Sequence, residues 1–262
     1  MATKHDNLSC ISALVTRPEP SGESLIQCIR QCGGKSCSLP MLDIIPNVAS
    51  RQHKQLLESL GQFDLIIVTS HNAARFGMAW IKQQVSSLPE HCQWYAIGRR
   101  TARELSVSAI QPLSIIVPSS GHNSEALLAM ENLQSIKEQR ILLLKGEGGR
   151  PLLEDALRER GALVTSLAVY RRCCPRYDRE ETLQLLEKQC INAILCHSGE
   201  TVISLRHNLT AQWFQDCPLI VPGQRVAKIA TSLGSRKVFI ATSPDDRAML
   251  SALFSCQAAC FN

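Results

Sequence analysis

No apolar run in this chain of 262 residues approaches the roughly 20 that a membrane-spanning helix needs, which excludes an integral membrane protein of the helical type. The opening Met1-Ala-Thr-Lys-His-Asp-Asn7 has no apolar segment behind it, so no signal peptide is expected and the expected compartment is the cytosol. No two of the 12 cysteines stand as C-x-x-C, which removes zinc ribbons and thioredoxin-type pairs. Without an export signal a disulfide framework is not expected, and the cysteines read as free, buried thiols serving as small hydrophobes. There is no run of Lys and Arg and no basic–aromatic interleaving, and the net charge is only +5. Nucleic acid is therefore not the expected partner, and a small anion suits the charge at least as well. Gly146-Glu-Gly-Gly149 lacks the Gly-Lys-Ser/Thr ending of a P-loop and the spacing of a dinucleotide fingerprint. It reads as a loop that lets something approach the backbone closely. Neither Ser70 nor Ser198 sits in a nucleophile elbow, so covalent catalysis is not expected.

What is present is a repeat. Phe63-Asp-Leu-Ile-Ile-Val-Thr-Ser70 and Ile191-Asn-Ala-Ile-Leu-Cys-His-Ser198 are apolar runs that end in serine, 128 residues apart. The same offset carries Arg17 onto Lys145 and Gly33 onto Gly161. A repeat of this size implies two similar domains and a cleft between them. At 45% hydrophobic and 19% charged residues, the composition is that of a soluble globular protein.

Each copy alternates strands and helices. Leu14–Pro18 reads as a strand, and Ser21–Cys32 as a helix with Leu25, Ile26, Ile29 and Cys32 on one face, stopped by Gly33-Gly34. Phe63–Thr69 is too continuously apolar for a half-exposed strand and reads as central, covered on both faces. Trp94–Gly98 and Ile115–Pro118 read as strands, and Asn123–Leu133 as a helix. The second copy follows with strands at 140–145, 191–196, 219–221 and 238–241 and a helix at 150–160. This order predicts an α/β fold of doubly wound parallel sheets with right-handed crossovers. Segments 38–46 and 162–172 are extended and occupy matching places, so they are expected to pair as a two-stranded hinge. The expected domains are 1–39 with 173–262 and, inserted between them, 47–167, with hinge strands at 40–46 and 168–172.

Open α/β sheets bind ligands beyond the carboxyl ends of their strands, where the N–H groups of a helix's first turn favour an anion. Such turns are expected at Ser70, Gly98, Gly146, Ser198 and Gly223. Ser70 and Ser198 can cap a helix, bind a carboxylate, or do both. Arg17, Lys145 and Arg150 follow the first strand of each copy and can grip a carboxylate or simply be solvated; Arg99, Arg100, Arg171, Arg172 and Arg225 can rim the site. His71 and His197 are expected to be exposed or capping, since no carboxylate or cysteine stands at a metal-ligand spacing from them.

Five segments in order, Val15-Thr-Arg-Pro18, Asp64–Ser70, Ala96-Ile-Gly98-Arg-Arg-Thr101-Ala102, Leu144–Arg150 and Val169-Tyr170, together resemble the uroporphyrinogen-III synthase family from about Leu14 to Phe254. The resemblance implies two flavodoxin-like domains joined by a two-stranded β-ladder, working without a cofactor or metal. It implies a monomeric lyase of haem and tetrapyrrole synthesis whose substrate is hydroxymethylbilane, with hydroxymethylbilane synthase as a candidate partner. The reaction it implies loses water, inverts the terminal pyrrole ring and closes the macrocycle through an azafulvene cation and a spiro intermediate. Tyr170 then becomes the candidate proton donor to the departing hydroxyl, because a phenol stays protonated at neutral pH; a strand tyrosine packed by its ring is the alternative. Gly98, Thr101, Gly146, Gly223 and Val226 join Arg17, Ser70, Lys145, Arg150 and Ser198 as candidate substrate-binding positions. Val226 departs from the family pattern, which has a hydroxyl there, and the His-Ser-Gly-Glu turn around Ser198 is also unusual. Two other readings stay open: a non-catalytic two-domain anion-binding module, and a degenerate synthase that acts as a scaffold.

Overall fold

The computed structural model describes residues 7–261. Along the chain run β1 (Ser12–Val15), α1 (Glu23–Gln31), β2 (Lys35–Ser38), β3 (Asp43–Pro46), α2 (Arg51–Glu58), β4 (Leu65–Val68), α3 (His71–Gln84) and β5 (Gln93–Ala96). There follow α4 (Arg99–Ser108), β6 (Ile115–Ile116), α5 (Ser124–Leu128), β7 (Arg140–Gly146), α6 (Leu152–Glu159), β8 (Leu163–Cys173) and α7 (Arg179–Lys188). The chain ends with β9 (Ala193–Leu195), α8 (Gly199–Asn208), α9 (Ala211–Asp216), β10 (Leu219–Pro222), α10 (Gly223–Ser232), β11 (Val238–Ala241) and α11 (Asp246–Cys260).

Two compact units result, one from the chain up to Asp43 and from Cys173 onward, the other from Ile44–Arg172. The first holds a sheet of order β11-β10-β9-β1-β2, the second one of order β6-β5-β4-β7-β8-β3. The pairings of β1 with β2 and β9, and of β4 with β5 and β7, are parallel. Read from these ends the two orders coincide, with β3 as an extra edge strand beside β8. After the edge strand β3 the chain joins the shared pattern at β4, the equivalent of β9, and reaches the equivalent of β1 only at β7, so the second unit is a permuted copy of the first.

Successive residues of the fully buried strands face opposite layers. Ile66 and Val68 of β4 pack on one face with Ala73, Met78 and Ile81 of α3, while Leu65 and Ile67 pack on the other with Leu153 and Leu157 of α6. In the first unit Ile194 joins Val202 and Leu205 of α8, and Ala193 and Leu195 join the α1 and α11 side chains. A sheet covered on both faces demands apolar strands without alternation, which is what the repeated runs supply.

The repeat persists in the capping. Ser70 Oγ accepts from Ala73 N at 3.0 Å and Ser198 Oγ from Thr201 N at 3.2 Å. Gly33 and Gly161 end α1 and α6 at φ +82° and +83°, in the left-handed region that glycine enters without a Cβ penalty.

Several elements differ from expectation. Asn123–Leu133 is not one helix: α5 stops after one short segment, and Met130 is extended before a 3₁₀ turn at Glu131–Leu133. The Gln134 amide donates to the Leu128 and Met130 carbonyls, which holds the break. Segment 38–46 is two strand ends separated by a bend, with only β3 in the second sheet. Helices α2 and α7, for which the sequence raised no expectation, begin at side-chain caps, Ser50 with His53 and Asp178 accepting from the Glu180 and Glu181 amides. Among the described residues no cysteine forms a disulfide, but only Cys92, Cys196, Cys217 and Cys256 are buried, and Cys10, Cys174, Cys190 and Cys260 are exposed. Among the described residues no helix is long and apolar enough to cross a membrane.

Candidate functional site

In the second unit the connection reverses direction between β4 and β7, the switch point at which open α/β sheets take ligands. A cavity of about 180 Å³ lies there, lined by Thr69 and Ser70 after β4, by the Lys145–Arg150 loop after β7 and by Tyr170 of β8. Tyr170 is 4% exposed and its ring is tilted against Phe76 at 6.2 Å. Its placement depends on Gly146. A Cβ built there would stand 2.5 Å from Tyr170 Cζ and 2.8 Å from Oη, a separation that real side chains do not show. The register of β7 on β8 slips between Lys145 and Gly146, so a bulge brings bare backbone under the phenol. Tyr170 Oη then lies 3.1 Å from Ser70 Oγ.

Charge lines the same cavity. Lys145 Nζ is 3.3 Å from Glu154, both side chains being about one-fifth exposed. Burial pushes the Glu154 carboxyl up, but the hydrogen bond from Ser166 and the Lys145 and Arg158 cations outweigh it and hold the group below its ordinary value. Arg150 grips Glu125 bidentately at 2.6 and 3.1 Å; this pair is exposed, and such pairs exchange partners at little cost. Gly148 and Gly149 have positive φ with nothing within 4 Å of either position a Cβ would take, leaving their backbone open to a ligand. His71 opens α3 half-buried, and desolvation with the Arg100 and Arg75 charges lowers its pKa against the pull of Glu104. Gly98 is approached by His122, whose ring lies 3.0 Å from where a Cβ would be. The space that glycine leaves is thus occupied by the protein itself. Thr101 is buried on the first turn of α4.

The equivalent strand ends of the first unit are built differently. Arg17 Nη1 meets Asp246 Oδ1 at 2.5 Å and its other nitrogen donates to Pro244 O, so this guanidinium is already neutralised. His197 corrects the expectation of an exposed or capping ring: both ring nitrogens are buried without a hydrogen-bond partner among the described residues. Burial, and after it the charge of Arg17 against the opposing Asp246, depresses its pKa to about 3, so the ring is neutral. Ser198 is part of a reciprocal cap with Thr201. Gly223 opens α10 at φ +77° with open space around it. Val226 is 2% exposed and packs in the apolar layer with Ala227 and Ala230, so it presents no surface to a ligand.

Glu154, Glu125, His122 and Asp246 went unnoticed in the sequence. Glu154 had a weak signal, an acid in the first turn of the helix after Lys145. Asp246, 229 residues from Arg17, had none.

Two doubly wound α/β units of matching strand order, the second permuted and carrying a buried phenol and a lysine beside a cavity at its switch point, define a two-domain α/β protein. Comparison with known proteins makes the class specific. The family model for uroporphyrinogen-III synthase HemD matches residues 23–251. The uroporphyrinogen-III synthase of Escherichia coli K12 is 34% identical over 93% of this chain and all of its own length, and that of Salmonella typhimurium LT2 is 33% identical over the same shares. In fold, the chain is similar to the uroporphyrinogen-III synthetase of Helicobacter pylori 26695, with TM-score 0.59 at 15% identity over 94% of this chain and 99% of the other. A mutant uroporphyrinogen III synthase from Thermus thermophilus gives TM-score 0.55 at 17% identity, over 95% and 99%. The chain belongs to the uroporphyrinogen-III synthase family.

Proposed function

We propose that this chain cyclises hydroxymethylbilane to uroporphyrinogen III, acting as a monomeric lyase in the cytosol on substrate supplied by hydroxymethylbilane synthase. The single observation that carries the site assignment is Tyr170, a buried phenol aimed at the switch-point cavity of the second unit beside Ser70 and Lys145. In this reading Tyr170 gives its proton to the departing hydroxyl as the carbon–oxygen bond breaks, and water leaves. A carboxylate arm of the substrate is held by Lys145, by Arg150 released from Glu125, and by the open backbone of the loop at Gly148 and Gly149. Ser198 and Gly223 offer turns of the same kind in the first unit for further carboxylates. Arg17, already paired with Asp246, supports the fold of its loop instead of binding substrate, and Val226 is a packing residue. The 180 Å³ cavity admits one substituted ring or its acidic arms, not a whole tetrapyrrole.

Holding the bilane so that the cation meets the substituted carbon of the terminal ring converts a competition between two closures into one outcome. Positioning of this kind can supply roughly 7–11 kcal/mol of a barrier. The test is an isomer assay: fresh hydroxymethylbilane is added and the product ring is identified by chromatography. The type III isomer, formed faster than the spontaneous product, is the expected result. Only the type I ring would leave a non-catalytic anion-binding module or a scaffold. The burial of Val226 speaks against the scaffold reading, which leaned on a missing hydroxyl at that position.

A further inference from the structure

We infer that Ser70 is a positioning residue that acts on the reaction through Tyr170, polarising the phenol, and not a binder of substrate carboxylate. The inference rests on the reading of Tyr170 as proton donor and goes beyond it by assigning the direction of one hydrogen bond. Ser70 Oγ has two neighbours at hydrogen-bond distance that bear on its role: Ala73 N at 3.0 Å and Tyr170 Oη at 3.1 Å. The amide can only donate, so one lone pair of Ser70 Oγ is committed to the first turn of α3. Between the two hydroxyls the proton can lie either way. If Tyr170 donated to Ser70, the phenol's one proton would be spent inside the protein, and the serine proton would have to find another acceptor.

If Ser70 donates to Tyr170, both groups are used economically. The serine accepts from the helix and donates to the phenol, and the phenol keeps its proton for the cavity. The chain Ala73 N–H to Ser70 O–H to Tyr170 O–H then runs in one sense from the positive end of α3 to the substrate. Hydrogen bonds in a chain of one sense strengthen each other.

The chemistry balances. The carbon–oxygen bond of the hydroxymethyl group breaks with its electron pair going to oxygen, the Tyr170 proton goes to that oxygen, and water departs. The pyrrole nitrogen's electrons delocalise into the resulting cation. The tyrosinate left behind is stabilised by the hydrogen bond that Ser70 donates, and it regains a proton when the newly joined ring carbon loses its own on rearomatisation. Gly146 completes the arrangement, because its missing side chain is the space in which the phenol lies against the bulge.

The experiment compares kcat and KM for hydroxymethylbilane in Ser70→Ala, Ser70→Thr, Tyr170→Phe and the Ser70→Ala/Tyr170→Phe double variant, with thermal melting of each. Ser70→Ala is expected to lower kcat about tenfold, the worth of one hydrogen bond to a developing charge, with KM within about twofold. Ser70→Thr, which keeps the hydroxyl and the cap, is expected to restore kcat. The double variant is expected to match Tyr170→Phe, since a serine acting only through the phenol has nothing left to act on. Ser70→Gly, tolerated at a helix N-cap, replaces the alanine variant should that one not fold. Losses that multiply in the double variant, or a raised KM with unchanged kcat in Ser70→Ala, overturn the inference in favour of substrate binding. A normal kcat in Ser70→Ala with a low one in Tyr170→Phe overturns the inference alone. Wild-type kcat in Tyr170→Phe overturns the Tyr170 reading beneath it.

Discussion

The second unit ends its β4 and β7 strands in an open cavity with a phenol and a cation, whereas the first ends the equivalent β9 and β1 in a closed ion pair with a neutral histidine behind it. The backbone plan is the same, down to the serine caps and the glycines at the helix ends. The difference is in the side chains that the loops bring. In the second unit the Lys145 ammonium pairs with Glu154, a contact that leaves the Gly148–Gly149 backbone exposed. In the first, Arg17 occupies the matching place and is held by three oxygens from Ser21, Pro244 and Asp246. One duplicated scaffold thus carries an open end and a braced end.

The sharpest way to break this contrast is to remove the phenol. Tyr170→Phe is expected to lower kcat for hydroxymethylbilane by about 100-fold, the scale of general acid catalysis, with an unchanged melting temperature; equal losses from a substitution at the first unit's strand ends would show that both ends react.

The next effect belongs to the first unit. His197 is depressed to about 3 in the fold, against about 6.5 in an unfolded chain. Between those values the unfolded chain binds a proton that the native state does not, so stability falls as pH falls from about 6.5 toward about 3. The slope from this group approaches about 1.4 kcal/mol per pH unit. Denaturant titrations from about pH 7 to about pH 4 are expected to show it, and to show a flatter dependence in His197→Leu. Arg17 and Asp246 face the ring; an unchanged slope in the variant would assign the acid sensitivity elsewhere.

Gly146→Ala comes third. The added methyl meets the Tyr170 ring at 2.5 Å, and relief of such a clash costs about 1–3 kcal/mol. A lowered melting temperature together with a lowered kcat is expected, because the phenol must move. A variant with normal kinetics would show that the bulge does not set the phenol's place.

The smallest effect is Val226→Thr. It buries a hydroxyl in an apolar layer, at a cost of about 1–3 kcal/mol if no partner is found and less if the helix backbone accepts it. No gain in turnover is expected; recovered activity in the isomer assay would put position 226 in contact with substrate and make the first unit's end a binding end.

Much of the scaffold was legible before any coordinates, and for a simple reason. Short continuous apolar runs such as Leu65–Val68 and Ala193–Leu195, rich in Ile, Leu and Val, suit strands buried on both faces, and a Ser repeated at their ends suits the cap of a following helix. These are local constraints of hydrogen bonding and of side chains leaving water, so neighbouring residues express them. The α5 region was misread because its helix is broken by a side-chain amide that competes for its carbonyls, a choice that apolar spacing does not record.

The chemistry was legible only in part. Tyr170, Ser70, Lys145 and Gly146 were named from a resemblance and from their places at strand ends, and the fold gathers all four around one cavity. Arg17 was named from its place after a strand and Val226 as a departure from the family pattern; one is paired with Asp246 and the other is packed in an apolar layer. Residue order settles which segments become strands and helices, since that depends on a few neighbours along the chain. Whether a charge is free or paired, and whether a ring nitrogen meets water or nothing, depends on groups hundreds of residues away. Such distances along the chain close only when the sheets assemble, so the open end and the braced end were told apart by packing alone.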